Sequence, residues 1–125
     1  MEALEMRNIR PEWIIAMIVR NFGNGATIEE ISEKVVRLQK NGINTSRVRV
    51  RRSPRGYYSE DIHQFVSGLF FSGFAGELSP HVSLTREGAE LCDEIIKDFY
   101  DHNSEMAERV AQALGIDLNK SIGGD

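Results

Sequence analysis

Five arginines stand within nine residues: Arg47, Arg49, Arg51, Arg52 and Arg55, followed by Tyr57 and Tyr58. A guanidinium is a planar fork of donors that matches a phosphate in a two-pronged geometry. A tyrosine ring can stack on an exposed base. The chemistry open to this cluster is therefore a grip on a nucleic-acid backbone. Two plainer readings stand beside it: a solvated strand face, or a docking surface for acidic helices of the same or a neighbouring subunit.

Charge along the chain bears on that choice. Residues 34–59 contain no acid and carry Lys34, Arg37, Lys40 and the five arginines, a local charge of +8. Residues 87–125 carry ten acids against Lys97, Arg109 and Lys120, a local charge of −7. The net charge of −4 would argue against a polyanionic partner. The segregation permits one, because phosphate contacts depend on the face presented and not on the total.

Other chemistries find little support. His63, His81 and His102 are 18 and 21 residues apart, and the single cysteine, Cys92, has no ligand partner near it in sequence, so no metal site is expected. Cys92 falls on an apolar helix face and is expected to be an inert core residue. Gly73 to Gly76 lacks the lysine and hydroxyl residue of a phosphate-cradling loop. The carboxylates of the last helices alternate with apolar positions and read as a wet face. No cofactor and no enzymatic activity are expected.

A chain of 125 residues, 41% hydrophobic and 27% charged, suits one compact soluble domain. No apolar run has the length of a membrane span. The acidic start, Met1 to Met6, has no signal-peptide core. A cytoplasmic protein is the expectation, and one cysteine suits a reducing compartment. There is no internal repeat, and the only low-complexity stretch is the tail Gly123-Gly124-Asp125.

The elements that must position the arginines follow from local signals. Pro11 suits the first turn of a helix, and Trp13, Ile14, Met17 and Ile18 recur at helical spacing. Asn21 to Gly25 ends it. Thr27 and Glu30 have capping-box spacing, Ile31, Val35 and Leu38 form a stripe, and Asn41-Gly42 stops the second helix with Ile43 packing back. Arg47-Val48-Arg49-Val50-Arg51 alternates and predicts a strand, with a short helix capped by Asn44-Thr45-Ser46 as the alternative. Ser53-Pro54-Arg55-Gly56 predicts a turn. Ser59 caps a third helix whose apolar run is Ile62, Phe65, Val66, Leu69 and Phe70, ending at Gly73. A hairpin follows, Phe74 to Leu78 and Val82 to Leu84, with Ser79-Pro80-His81 at its tip.

The last helix opens at Thr85, with Leu84 placed to staple to Ala89. Gly88 in its first turn points to a close backbone approach by the hairpin. Leu91, Cys92, Ile95, Ile96 and Phe99 make one stripe; Met106, Ala107, Val110, Ala111 and Leu114 make another, closed by Gly115. If unbroken, residues 85–114 would span about 45 Å at 1.5 Å per residue. Such a helix would overhang a small domain and call for a second copy as cover. The alternative is a helix broken near Asp101-His102-Asn103-Ser104 and folded onto its own core.

The fold class expected is mainly α with a small β-hairpin (α+β). Tyr58-Ser59-Glu60-Asp61-Ile62, Gly73-Phe74 and Leu84-Thr85-Arg86-Glu87-Gly88 resemble the junctions around the third helix and wing of winged helix-turn-helix proteins. The likeness is to small prokaryotic regulators of the multiple-antibiotic-resistance and PadR type. It implies a winged-helix domain over residues 1–100, with a C-terminal helical extension and tail over 101–125 that is a candidate for dimerisation. It also implies that the third helix enters the major groove of double-stranded DNA.

On that basis His63, Gln64 and Ser67 are possible base contacts. The five arginines are the phosphate contacts, and Tyr57 and Tyr58 are possible stacking residues. The third helix itself carries no arginine or lysine, begins with two acids, and shows Glu60 and Phe71 on its outer side. The expectation is thus a DNA-binding, dimeric transcription regulator. The rival is a winged-helix protein-interaction module, an adaptor or assembly subunit with no nucleic-acid role; residues 85–114 are the candidate homodimer segment. A third reading is a single-strand or RNA binder.

Overall fold

The computed structural model describes residues 9–22, 25–77 and 81–118. Helix α1 spans Pro11–Asn21, with Arg10 as its cap and the proline in its first turn. Every residue from Trp13 to Val19 is buried. This is more than the one-sided stripe the periodicity suggested. The run Trp-Ile-Ile-Ala-Met-Ile-Val has no polar side chain to face water, so α1 must be surrounded.

A two-residue strand, β1 (Ala26–Thr27), leads directly into α2 (Ile28–Lys40). The expected capping box is present. The Glu30 amide donates to Thr27 Oγ1 at 3.1 Å, and the Thr27 amide donates to Glu30 Oε1 at 2.9 Å. At the other end Gly42 adopts φ +82° and the Ile43 amide donates to the Leu38 carbonyl at 3.1 Å. Ile43 is buried as the sequence implied.

A ribbon follows, β2 (Arg51–Ser53) and β3 (Gly56–Tyr58), paired antiparallel. Helix α3 (Glu60–Phe71) is capped by Ser59, whose hydroxyl accepts from the Ile62 amide. Strands β4 (Ala75–Glu77) and β5 (His81–Leu84) pair antiparallel, and β1 joins the free side of β5 to give the order β1-β5-β4. Of the expected hairpin tip, Ser79 and Pro80 lie outside the described residues, and His81 opens β5.

Helix α4 (Arg86–His102) lies along α1, and α5 (Ser104–Leu114) folds back on the same core. The break is at Asn103, with φ −157° and ψ 76°. Its amide donates to the Phe99 carbonyl to close α4, and its side chain accepts from the Met106 amide to open α5. Met106, Ala107, Val110 and Ala111 are buried within the chain. The two-piece alternative is therefore the observed one. The overhang that called for a partner over residues 85–114 does not exist. Among the described residues no helix is long and apolar enough to cross a membrane.

Gly88 sits where α4 meets the turn before β4. The Thr85 amide donates to the Phe74 carbonyl at 2.9 Å, and Thr85 Oγ1 both donates to the Gly73 carbonyl and caps the Gly88 amide. A methyl group on Gly88 would lie 1.8 Å from the Phe74 carbonyl oxygen, a clash with backbone that no rotamer change relieves. Gly88→Ala is expected to lower stability by about 3 kcal/mol, read as a fall in the urea midpoint. Gly68→Ala is the control. Nothing lies within 4 Å of a methyl placed there, and a helical Gly→Ala change at an open position gains about 0.5–1 kcal/mol.

Candidate nucleic-acid interface

The arginine segment is built differently from the strand its alternation suggested. Asn44 Oδ1 accepts from the Ser46 amide at 2.9 Å, and the Thr45 carbonyl accepts from the Val48 amide at 2.8 Å. Residues 44–48 thus form a tight turn, neither strand nor helix. Val48 is buried and Val50 packs against the core. Anchoring these valines is what the alternation encoded. Only from Arg51 does the chain enter a strand, and Tyr57 and Tyr58, on its partner strand, run directly into the Ser59 cap of α3. Ser53 to Gly56 is the turn, as expected, with φ +122° at Gly56.

Register sets arginine against tyrosine. Arg51 pairs with Tyr58 and Arg52 with Tyr57. Both guanidiniums cover the facing ring, Arg51 at 5.0 Å and Arg52 at 5.6 Å from the centroid. Tyr58 also packs against the core and lies 6.4 Å from the His63 ring. Burial, the largest influence, and the charge of Glu60 push its phenol pKa up, while Arg51 opposes them. Each tyrosine face that an arginine covers would have to be vacated before a base could stack there.

Two of the arginines are tied to the start of α3. The Arg49 amide donates to Asp61 Oδ2 at 2.8 Å, and its guanidinium reaches both carboxylate oxygens at 3.3–3.4 Å. Partial burial alone would raise the Asp61 carboxyl pKa. The bonds from the Arg49 backbone and side chain, with the guanidinium charge, outweigh that and hold it below the ordinary carboxylate value. Arg51 meets Glu60 more loosely, at 3.9 Å. Arg47, Arg52 and Arg55 have no acid within ion-pair distance among the described residues. None of the five pairs with α4 or α5. Three acids of α4 are engaged elsewhere: Asp93 with Arg20, Asp98 with Arg10, Trp13 and His102, and Glu90 with Arg86.

Helix α3 exposes Gln64 to solvent, with His63 and Ser67 half-buried. Phe71 is 83% exposed and Phe70 39%, the two rings meeting edge-on at 5.4 Å. Phe70 was expected inside with Leu69; instead the buried side of α3 narrows to Ile62, Val66 and Leu69. The other candidate chemistries are scattered. His63, His81 and His102 sit on α3, β5 and α4, and among the described residues no cluster of three ligand-type side chains could hold a metal. Cys92 is fully buried, and burial first, then the Asp93 charge, pushes its thiol up to about 12 against the pull of Arg20.

Because Asp61 titrates lower in the folded state than in the unfolded chain, its contribution to stability is complete above the ordinary carboxylate range. It is lost as pH falls through the lowered folded value. Asp61→Asn is therefore expected to lower the urea midpoint at neutral pH. The gap to the parent protein should shrink as the pH drops below about 4; a gap independent of pH would show that the carboxylate charge is not what holds Arg49.

No family model matches the chain, and no curated protein or solved structure matches it significantly.

Proposed function

We propose that the chain is a winged-helix protein that binds duplex DNA, holding backbone phosphates with Arg47, Arg52 and Arg55. Arg49 and Arg51 join when phosphate replaces their carboxylate partners. The observation that carries this reading is a set of guanidiniums, projecting from one turn and one ribbon, that the acidic C-terminal helices leave unclaimed. The Arg49 and Arg51 side chains remain 83% and 64% exposed. Ion pairs so exposed are worth about 0–1 kcal/mol, little enough for phosphate to compete. Apart from the added ribbon β2-β3 between α2 and α3 and the added helix α5, the order helix, strand, helix, helix, hairpin, helix, with the first strand joined to the hairpin, supports the winged-helix assignment. Transcription regulation would follow from such binding, in a cytoplasmic setting.

One observation favours a second reading. Phe71 stands almost wholly in water on a helix that begins with two acids, which suits an adaptor that captures a protein or a second copy of itself. Nucleic-acid titrations separate the two. Under the first reading, log affinity for a duplex falls with log salt at a slope of about −0.9 per phosphate contacted. Changing Arg47, Arg52 and Arg55 together to alanine should flatten that slope by roughly three contacts' worth. No binding to any duplex or single strand at about 50 mM salt sinks the DNA reading. Preference for single strands in competition would replace it with the RNA or single-strand one.

A further inference from the structure

The outer face of α3 carries a pattern that the arginine grip does not explain. At 3.6 residues per turn, Glu60, Gln64, Ser67 and Phe71 fall within about 60° of one another. Gly68 lies at the margin of this stripe. A methyl built on Gly68 would meet nothing within 4 Å, so the surface beside Phe71 is low and open. Phe70 and Phe71 are the exposed large hydrophobic residues among those described. The Arg51 guanidinium reaches Glu60 at one end of the stripe, so the cationic ribbon adjoins it. Phe71 stands about 16 Å further along the axis at 1.5 Å per residue.

Charge complementarity selects a polyanion for this face. The arginine turn and ribbon meet the first turn of α3 through Arg49 and Arg51, and the ribbon also carries Arg52 and Arg55, which have no acid partner among the described residues. Of the two acids at its start, Asp61 is held by Arg49 and Glu60 is met by Arg51. No other acid lies on α3. What the helix could read on such a partner follows from its side chains. Arginine and lysine, the usual partners of guanine, are absent from it. An outward glutamine matches the paired donor and acceptor of adenine. An outward phenyl ring matches the C5-methyl group of thymine, the one apolar feature of the major groove.

Resting on the DNA-binding reading above, we infer that α3 reads A·T pairs in the major groove, with Phe71 on a thymine methyl and Gln64 on an adenine. The two side chains are seven residues apart, about 10 Å along the helix. For a helix lying along the groove that is roughly three base-pair steps of about 3.4 Å each. Ser67, between them, can bond either base and adds no preference.

The test uses three 20-base-pair duplexes at one salt concentration: an A·T-rich one, the same duplex with every thymine replaced by deoxyuridine, and a G·C-rich one. The full chain should bind the A·T-rich duplex about tenfold more tightly than the G·C-rich one, the scale of a single base discrimination. Removing the thymine methyls should cost about fivefold. Phe71→Ala should abolish the thymine–uracil difference while leaving the salt slope intact, and Gln64→Ala should shrink the A·T preference but keep the uracil effect. Both side chains are exposed, so neither change disturbs the core.

Equal affinity for thymine and uracil duplexes, with a normal salt slope, overturns this inference and leaves the phosphate grip standing. If Phe71→Ala instead alters the sedimentation of the protein and not the thymine–uracil difference, the face is a protein contact and the inference falls. Absence of binding to every duplex removes the DNA reading itself, and this one with it.

Discussion

A helix with no face for water organises this molecule. Trp13 to Val19 is buried all round, so every larger element has to lie against α1 or against something that does. Its few polar needs are met at the seam with α4. The Trp13 indole donates to Asp98 at 2.9 Å while its ring stacks on Phe99 at 4.9 Å, and Arg20 meets Asp93 at 3.0 Å. These contacts engage two carboxylates of α4. Packing and electrostatics are thus linked along the α1–α4 seam.

The ribbon itself has little of its own to hold it. Two strands of three residues do not persist in water without support. Support comes from Tyr58 and Val48 on the core side and from the Asp61 carboxylate, which fixes both the backbone and the side chain of Arg49. The cross-strand arginine–tyrosine pairs keep guanidiniums extended beside the ribbon at modest entropic cost. A contact surface made this way is preformed in position yet exposed at its charged tips.

What could be read from the sequence was what is local. The Thr27–Glu30 box, the Asn41-Gly42 stop, the Ser59 and Thr85 caps and the need for glycine at position 88 each rest on a few adjacent residues, and each appears in the structure. The misses are all non-local. Two residues of β1 form a strand only because β5 runs beside them. Tyr57-Tyr58 becomes a strand because Arg51-Arg52 is its partner. The valines at 48 and 50 gave an alternating pattern that reported burial, not sheet pairing. Phe70 fits an apolar helix face by period, but neighbours reach only as far as Leu69. The acid partners of Arg49 and Arg51 lay twelve and nine residues downstream, which charge counting over a window had set aside.

Asn103 has one more implication. This single residue both closes one helix and opens the next, and its side-chain carbonyl is the acceptor that makes the second start possible. A strong helix former at that position would favour fusion of the two pieces into one rod of about 43 Å. The displaced segment would carry Met106, Val110 and their neighbours away from the body, leaving a vacated trough that the same segment of another molecule fits. Reciprocal exchange of arms between two chains would restore every lost contact. In this protein the backbone angles of one asparagine keep the two helical pieces on a single core.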